Sequence, residues 1–118
     1  MKLIYKLNIK VLKMKKKIFI LGSSGLLGRN LCLNLKKNYK IFAHVNKRSV
    51  YFDGVKKFDF NFFNKKKLTN FLIKYQPNII INSTGITNVE ECEKNKLKAY
   101  KINVGINDLF SSLSLKYN

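Results

Sequence analysis

Residues 18–31 read IFILGSSGLLGRNL, an apolar run that breaks into three glycines and resumes as an amphipathic stretch. The part from Lys17 to Leu21 is short, isoleucine-rich and bounded by glycine, the pattern of a strand buried on both faces. From Leu26 the period changes. Leu27, Leu31, Leu33 and Leu35, followed by Lys36, Lys37 and Asn38, predict a helix that ends near Asn38. Gly22, Gly25 and Gly28 therefore stand three residues apart on the seam between strand and helix. On such a seam each has a mechanical use: Gly22 allows a tight turn, Gly25 lets backbone approach a pyrophosphate, and Gly28 lets the helix pack close to the sheet. The helix start at Leu26 and Leu27 then aims main-chain N–H groups at phosphate, and the hydroxyls of Ser23 and Ser24 are candidate donors. The spacing follows a strand and opens a helix, the setting that a dinucleotide fingerprint requires; a glycine-rich turn without a ligand is the alternative.

The rest of the chain repeats the alternation. KIFAHV at 40–45 reads as a second strand, and VKKFDF at 55–60 holds a short third one. NKKKLTNFLIKYQ at 64–76 has helical spacing and is stopped by Pro77, and NIIIN at 78–82 is the most strand-like segment of all. After the small-residue loop STGITN, residues 90–115 read as helix with a break near Asn95. Buried strands alternating with helices predict an α/β fold, a Rossmann-like doubly wound parallel sheet. It is incomplete, with four strands in the order 3-2-1-4 and the first strand central. The domain occupies residues 15–118 behind a basic extension at 1–14.

Composition narrows the function. The chain has 118 residues, 46% of them hydrophobic, enough for one small domain. Its formal charge of +18 invites a polyanionic partner, yet Arg29 and Arg48 are its only arginines. Readers of nucleic acid favour arginine's bidentate fork, so neither nucleic acid nor membrane is expected as partner. The alternative for the first 13 residues, MKLIYKLNIKVLK, is a basic membrane-surface segment. Their lysines interrupt any continuous apolar core, so no export signal is read there and a cytoplasmic location is expected. Cys32 and Cys92 have no CxxC spacing, and His44 is the sole histidine, which excludes a disulfide scaffold and an imidazole metal cluster. His44 itself reads as a half-buried residue at a strand end. No stretch is long and apolar enough to span a bilayer.

The choice of dinucleotide turns on the end of the second strand. An acid there would hold the ribose 2′-OH of NAD, but the sequence reads HVNKRS. Asn46, Lys47 and Arg48 suit a 2′-phosphate instead, which favours NADP(H), with NAD(H) as the alternative.

Taken together, GSSGLLG, FDFN at 58–61, PNIIINSTGITNVEECEKN at 77–95 and AYKINV at 99–104 resemble the N-terminal half of extended short-chain dehydrogenases. The nearest subgroup is the dTDP-4-dehydrorhamnose reductase type, which reduces the 4-keto group of a nucleotide-linked sugar with NADPH. The resemblance implies that Asp59 accepts a hydrogen bond from the adenine amino group with Phe60 beside the ring. It further implies that Ser83, Thr84, Gly85, Ile86 and Thr87 lie along the cofactor ribose, and that Asn103 supports the site through backbone and water. Asn82 is expected to fix the end of the sheet rather than touch ligand.

The departure is as informative. These enzymes polarise the carbonyl with a tyrosine whose partner lysine lies four residues on. Here Tyr5, Tyr39, Tyr51, Tyr75 and Tyr100 are followed at that distance by Ile9, Ala43, Val55, Ile79 and Val104, and no lysine follows Tyr117. No catalytic residue is therefore assigned. The expectation is a truncated cofactor-binding half of a nucleotide-sugar reductase, and the alternative is a non-catalytic NAD(P)-binding regulatory or interaction module. The fourth strand is expected to present a bare apolar edge that could pair with another copy.

Overall fold

The computed structural model describes residues 14–46 and 52–117. Four parallel strands form one sheet: β1 (Lys17–Leu21), β2 (Lys40–His44), β3 (Lys56–Phe58) and β4 (Ile79–Asn82), in the spatial order β3-β2-β1-β4. Helices α1 (Leu26–Leu35) and α2 (Lys65–Tyr75) are the crossovers. After β4 come α3 (Val89–Lys94), α4 (Lys96–Tyr100), a π-helical turn (Lys101–Gly105) and α5 (Ile106–Tyr117). Both the architecture and the strand order agree with the expectation from the sequence.

β1 explains why its sequence has no polar interruption. It pairs on both sides, Phe19 facing Phe42 of β2 and Ile80 of β4. Side chains of a strand alternate between faces, so a central strand covered by helices on both sides must be apolar throughout. Phe19 and Leu21 enter a core with Phe42, Leu68 and Phe71, closed by Ile106 and Phe110 of α5. Ile18 and Ile20 enter the other core with Ile41, Ala43, Phe52 and Cys32 of α1. The first core is built on rings: Phe19 lies 4.4 Å from Phe71, which is 4.8 Å from Phe58 and 5.0 Å from Tyr75.

Three of the short helices are stopped or started by asparagine. Asn64, Asn88 and Asn95 each accept a hydrogen bond from the amide three residues on, which begins α2, α3 and α4. Asn95 has φ −139 and ψ 74, so the long C-terminal helix breaks there, as the sequence suggested. The π-helical turn at 101–105 and the early end of β3 at Phe58 were not expected. β3 stops because Asp59 and Phe60 leave the ladder to form a wall of the groove described below.

Lysines gather where strands begin. Lys17 and Lys40 are register partners, and Lys56 opens β3 beside Phe42. At the opposite flank of the sheet, β4 pairs only with β1 among the described residues, leaving Ile79 exposed and Ile80 and Ile81 half-buried. The expected apolar edge is thus present.

One position is conformationally costly. Gln76 caps α2 with φ 45, in the left-handed region, directly before Pro77. A side chain there costs about 1 kcal/mol relative to glycine. Gln76→Gly is expected to raise the thermal midpoint by about 4 °C, measured by circular dichroism.

Candidate dinucleotide site

The strands of a parallel sheet end at one rim, and the crevice at that rim opens where the chain direction of the crossovers reverses. In this fold the reversal lies between β1 and β4. A groove of about 550 Å³ occupies the rim, and the ends of all four strands reach it. β1 contributes Gly22 and Gly25, β2 contributes His44 and Asn46, β3 contributes Asp59 and Phe60, and β4 contributes Ser83, Thr84, Gly85 and Ile86.

The glycine turn has the geometry its spacing implied. Gly22 has φ +74, and a Cβ there would lie 2.9 Å from the Ser83 carbonyl group and the Thr84 amide. At Gly28 a Cβ would collide with the Gly22 carbonyl oxygen and the Ser83 hydroxyl. α1, the turn and the β4 loop are therefore in backbone contact. Gly25 differs, since a Cβ there would meet only the Gly22 oxygen, at 3.4 Å. It is the N-cap of α1 and offers no side-chain cap, and the first turn of the helix contains no acid. The amides of Leu26, Leu27 and Gly28 precede any acceptor that the helix itself provides. The exposed side chains of Leu26 and Leu27 flank this open N-terminus without lining the groove.

Ser23 departs from its expected role. It is fully buried, its hydroxyl donates to the Ile20 carbonyl at 2.8 Å, and its amide donates to the His44 carbonyl at 3.0 Å. Cys32 donates to the same hydroxyl at 3.5 Å. The side chain thus locks the turn from beneath and is not turned toward a ligand. Ser24 is half-buried and does not line the groove.

The β4 loop is organised by asparagines. Asn82 accepts from the Thr84 amide at 3.0 Å and from its hydroxyl at 2.5 Å, and donates to Asn107 at 2.7 Å. It fixes the end of the sheet, as expected. Asn103 grips Ile86 from both sides, accepting from its amide at 2.8 Å and donating to its carbonyl at 3.0 Å. Its place inside the π-helical turn is what the sequence did not disclose. Thr87 is exposed and lies outside the groove lining, and Lys47 and Arg48 fall outside the described residues.

Phe60 lines the groove, but its ring also packs into the aromatic core, 5.2 Å from Phe71 and stacked 6.4 Å from Phe19. Asp59 beside it is exposed. The residue that sequence reading underrated is His44. It is 6% exposed rather than half-buried, and Nε2 lies 2.5 Å from the Phe60 carbonyl oxygen. Burial pushes its pKa below the ordinary 6.5, against smaller upward pulls from the Phe60 carbonyl and from Asp59. Its position at the carboxyl end of a strand beside the glycine turn was the available signal. Asn61, Phe62, Phe63, Glu91 and Lys98 also line the groove.

A family model, described as the RmlD substrate binding domain, matches residues 15–117. The chain belongs to the RmlD substrate-binding domain family. The spore coat polysaccharide biosynthesis protein SpsK of Bacillus subtilis is 33% identical over 98 residues, which are 82% of this chain and 30% of that protein. The UDP-glucose 4-epimerase of Thermotoga maritima, solved with UDP-glucose, superposes with a TM-score of 0.76 at 15% identity. That superposition covers 86% of this chain and 35% of the epimerase. The UDP-glucose 4-epimerase of Brucella ovis, solved in complex with NAD, gives 0.64 at 19% identity over 76% of this chain and 29% of that one. These structures share the fold, and the RmlD-family chain spans about a third of their length.

Two expectations test the site as built. Gly28→Ala in this RmlD-family chain forces backbone apart at the turn and should cost about 1–3 kcal/mol in urea denaturation. His44 gives the second. Its folded pKa is lowered, so the unfolded chain binds the proton more readily, and stability declines as pH drops below 6.5. The urea midpoint should fall between about pH 7.5 and about pH 5.5, and His44→Gln should flatten that slope.

Proposed function

We propose that this chain is the cofactor-binding part of a nucleotide-sugar reductase of the dTDP-4-dehydrorhamnose reductase type, with NADP(H) as its dinucleotide. The observation that carries the reading is the uncapped start of α1. α2, α3 and α4 each begin on an asparagine cap, whereas α1 begins on Gly25, with no side chain over its amides. A helix start left bare at the carboxyl rim of a parallel sheet suits a diphosphate.

The residues present fit that group. The diphosphate would lie on the turn from Gly22 to Gly28, against the amides of Leu26 and Leu27. Asp59 would accept from the adenine amino group, since an ionised carboxylate only accepts and an exocyclic amine only donates. The backbone from Gly85 to Thr87, held by Asn103 through Ile86, would border the ribose. Asn46 lines the groove at the end of β2. Lys47 and Arg48 follow it in sequence, where a 2′-phosphate would need a cation. When bound, the dinucleotide supplies the hydride; these residues bind it, orient it and shield one side of it from water.

A second reading is a binding or regulatory module without turnover of its own. It is favoured by the tyrosines, none of which has a lysine four residues on. Binding of dinucleotide is common to both readings; reduction of a 4-keto nucleotide sugar by this chain alone would favour the first.

Thermal shift with NADPH, NADH and ADP tests the common ground. At a ligand concentration about a hundred times Kd, stability should rise by about 2.7 kcal/mol. Absence of a shift with all three overturns the proposal. Asp59→Ala should weaken ADP and NADPH alike, by about tenfold, while replacing Lys47 and Arg48 by alanine should weaken NADPH and spare NADH.

A further inference from the structure

We infer that His44 is the positioning residue of the nucleotide groove, a single side chain and its own carbonyl tying the phosphate turn to the nucleobase wall. The inference rests on the dinucleotide reading above and adds to it how the two halves of the groove are held in register.

The main chain makes the first tie. The His44 carbonyl accepts the Ser23 amide at 3.0 Å, across from β2 to the turn that follows β1. Ser23 is itself immobilised by its hydroxyl on Ile20 and by the Cys32 thiol, so this bond joins β2 to a rigid turn.

The ring makes the second tie. A carbonyl oxygen has no proton to give, so Nε2 must carry the hydrogen and donate to Phe60. The ladder between β2 and β3 ends with the Val45 amide donating to the Phe58 carbonyl at 2.8 Å. Beyond that point Asp59 and Phe60 have left the sheet, and the imidazole continues the connection that the main chain has stopped making. The ring has little freedom to swing. It meets Phe62 at 4.7 Å, Phe60 at 5.4 Å and Phe19 at 6.2 Å, each edge to face. Asp59, whose carboxylate would read the base, thus stands next to a peptide whose carbonyl is pinned by His44.

An apolar ring or chain would fill the same space without making the bond. That separates positioning from packing. His44→Leu should retain the fold and bind ADP about tenfold more weakly by calorimetry, the effect of losing one buried hydrogen bond. Nicotinamide mononucleotide, which lacks the adenine half, should bind with unchanged affinity. His44→Gln keeps an N–H donor and should recover part of the ADP affinity. Equal losses for both nucleotides, or unchanged ADP affinity in His44→Leu, would overturn the inference. A readout that needs no variant comes from the sole histidine of the chain, whose labelled imidazole gives one set of nitrogen resonances. Unaltered protein should show the neutral ring protonated at Nε2 at about pH 7, and the signals should move with ADP. A proton on Nδ1, or no response to bound ADP, would refute the claim. Failure of the unaltered chain to bind either nucleotide would instead remove the dinucleotide reading on which it stands.

Discussion

Everything at the rim depends on one close approach, that of the α1 backbone at Gly28 to the Gly22 carbonyl and the Ser83 hydroxyl. No side chain fits between them. Because the contact joins a helix start, the turn after the central strand and the loop after β4, it sets three segments at once. The direction of α1 follows from it, and with that direction the aim of the bare amides at Leu26 and Leu27. The same approach places Ser83 so that its hydroxyl reaches the Leu21 carbonyl at 2.5 Å, which closes the end of β1 against β4.

The two faces of the sheet are unequal, and the inequality serves the groove. On the α1 side the core is aliphatic and small, with Ala43 and Cys32 allowing the helix to lie close. On the α2 side it is a layer of rings that runs outward from Phe42 and Phe71 through Phe60 to His44. Rings bury large areas with few rotatable bonds, so a wall made of them loses little entropy when it is held still. The rigidity of the interior is thereby carried to the rim, where Phe60 belongs to both.

Much of this was legible in the residues and some was not, for reasons that can be named. The central position of β1 was readable because only a strand covered on both faces has no polar member, and the three glycines were readable because their spacing matches a turn that only glycine completes. Asn95 announced a break because asparagine caps helices. The π-helical turn left no such mark, since KINVG satisfies an ordinary helical period and the extra residue is accommodated by tertiary contact with Ile86. Ser23 was misjudged because a serine in a phosphate turn looks the same in sequence whether its hydroxyl faces in or out. His44 was underrated for a related reason: burial at the end of a short strand depends on Phe60 and Phe62, which lie 16 and 18 residues away and reach it only through the fold.

Lys17 beside Lys40 and Lys56 at the start of β3 have a physical cost at the far rim from the groove. Like charges at neighbouring strand starts repel, and folding draws them nearer than they lie in the open chain. Mobile anions from the surrounding medium must supply the compensation that the sequence, with 6 acids to 24 bases, does not carry within itself. The ionic atmosphere is in that sense a component of the folded state, and the fold opens and closes in a medium that it has to recruit.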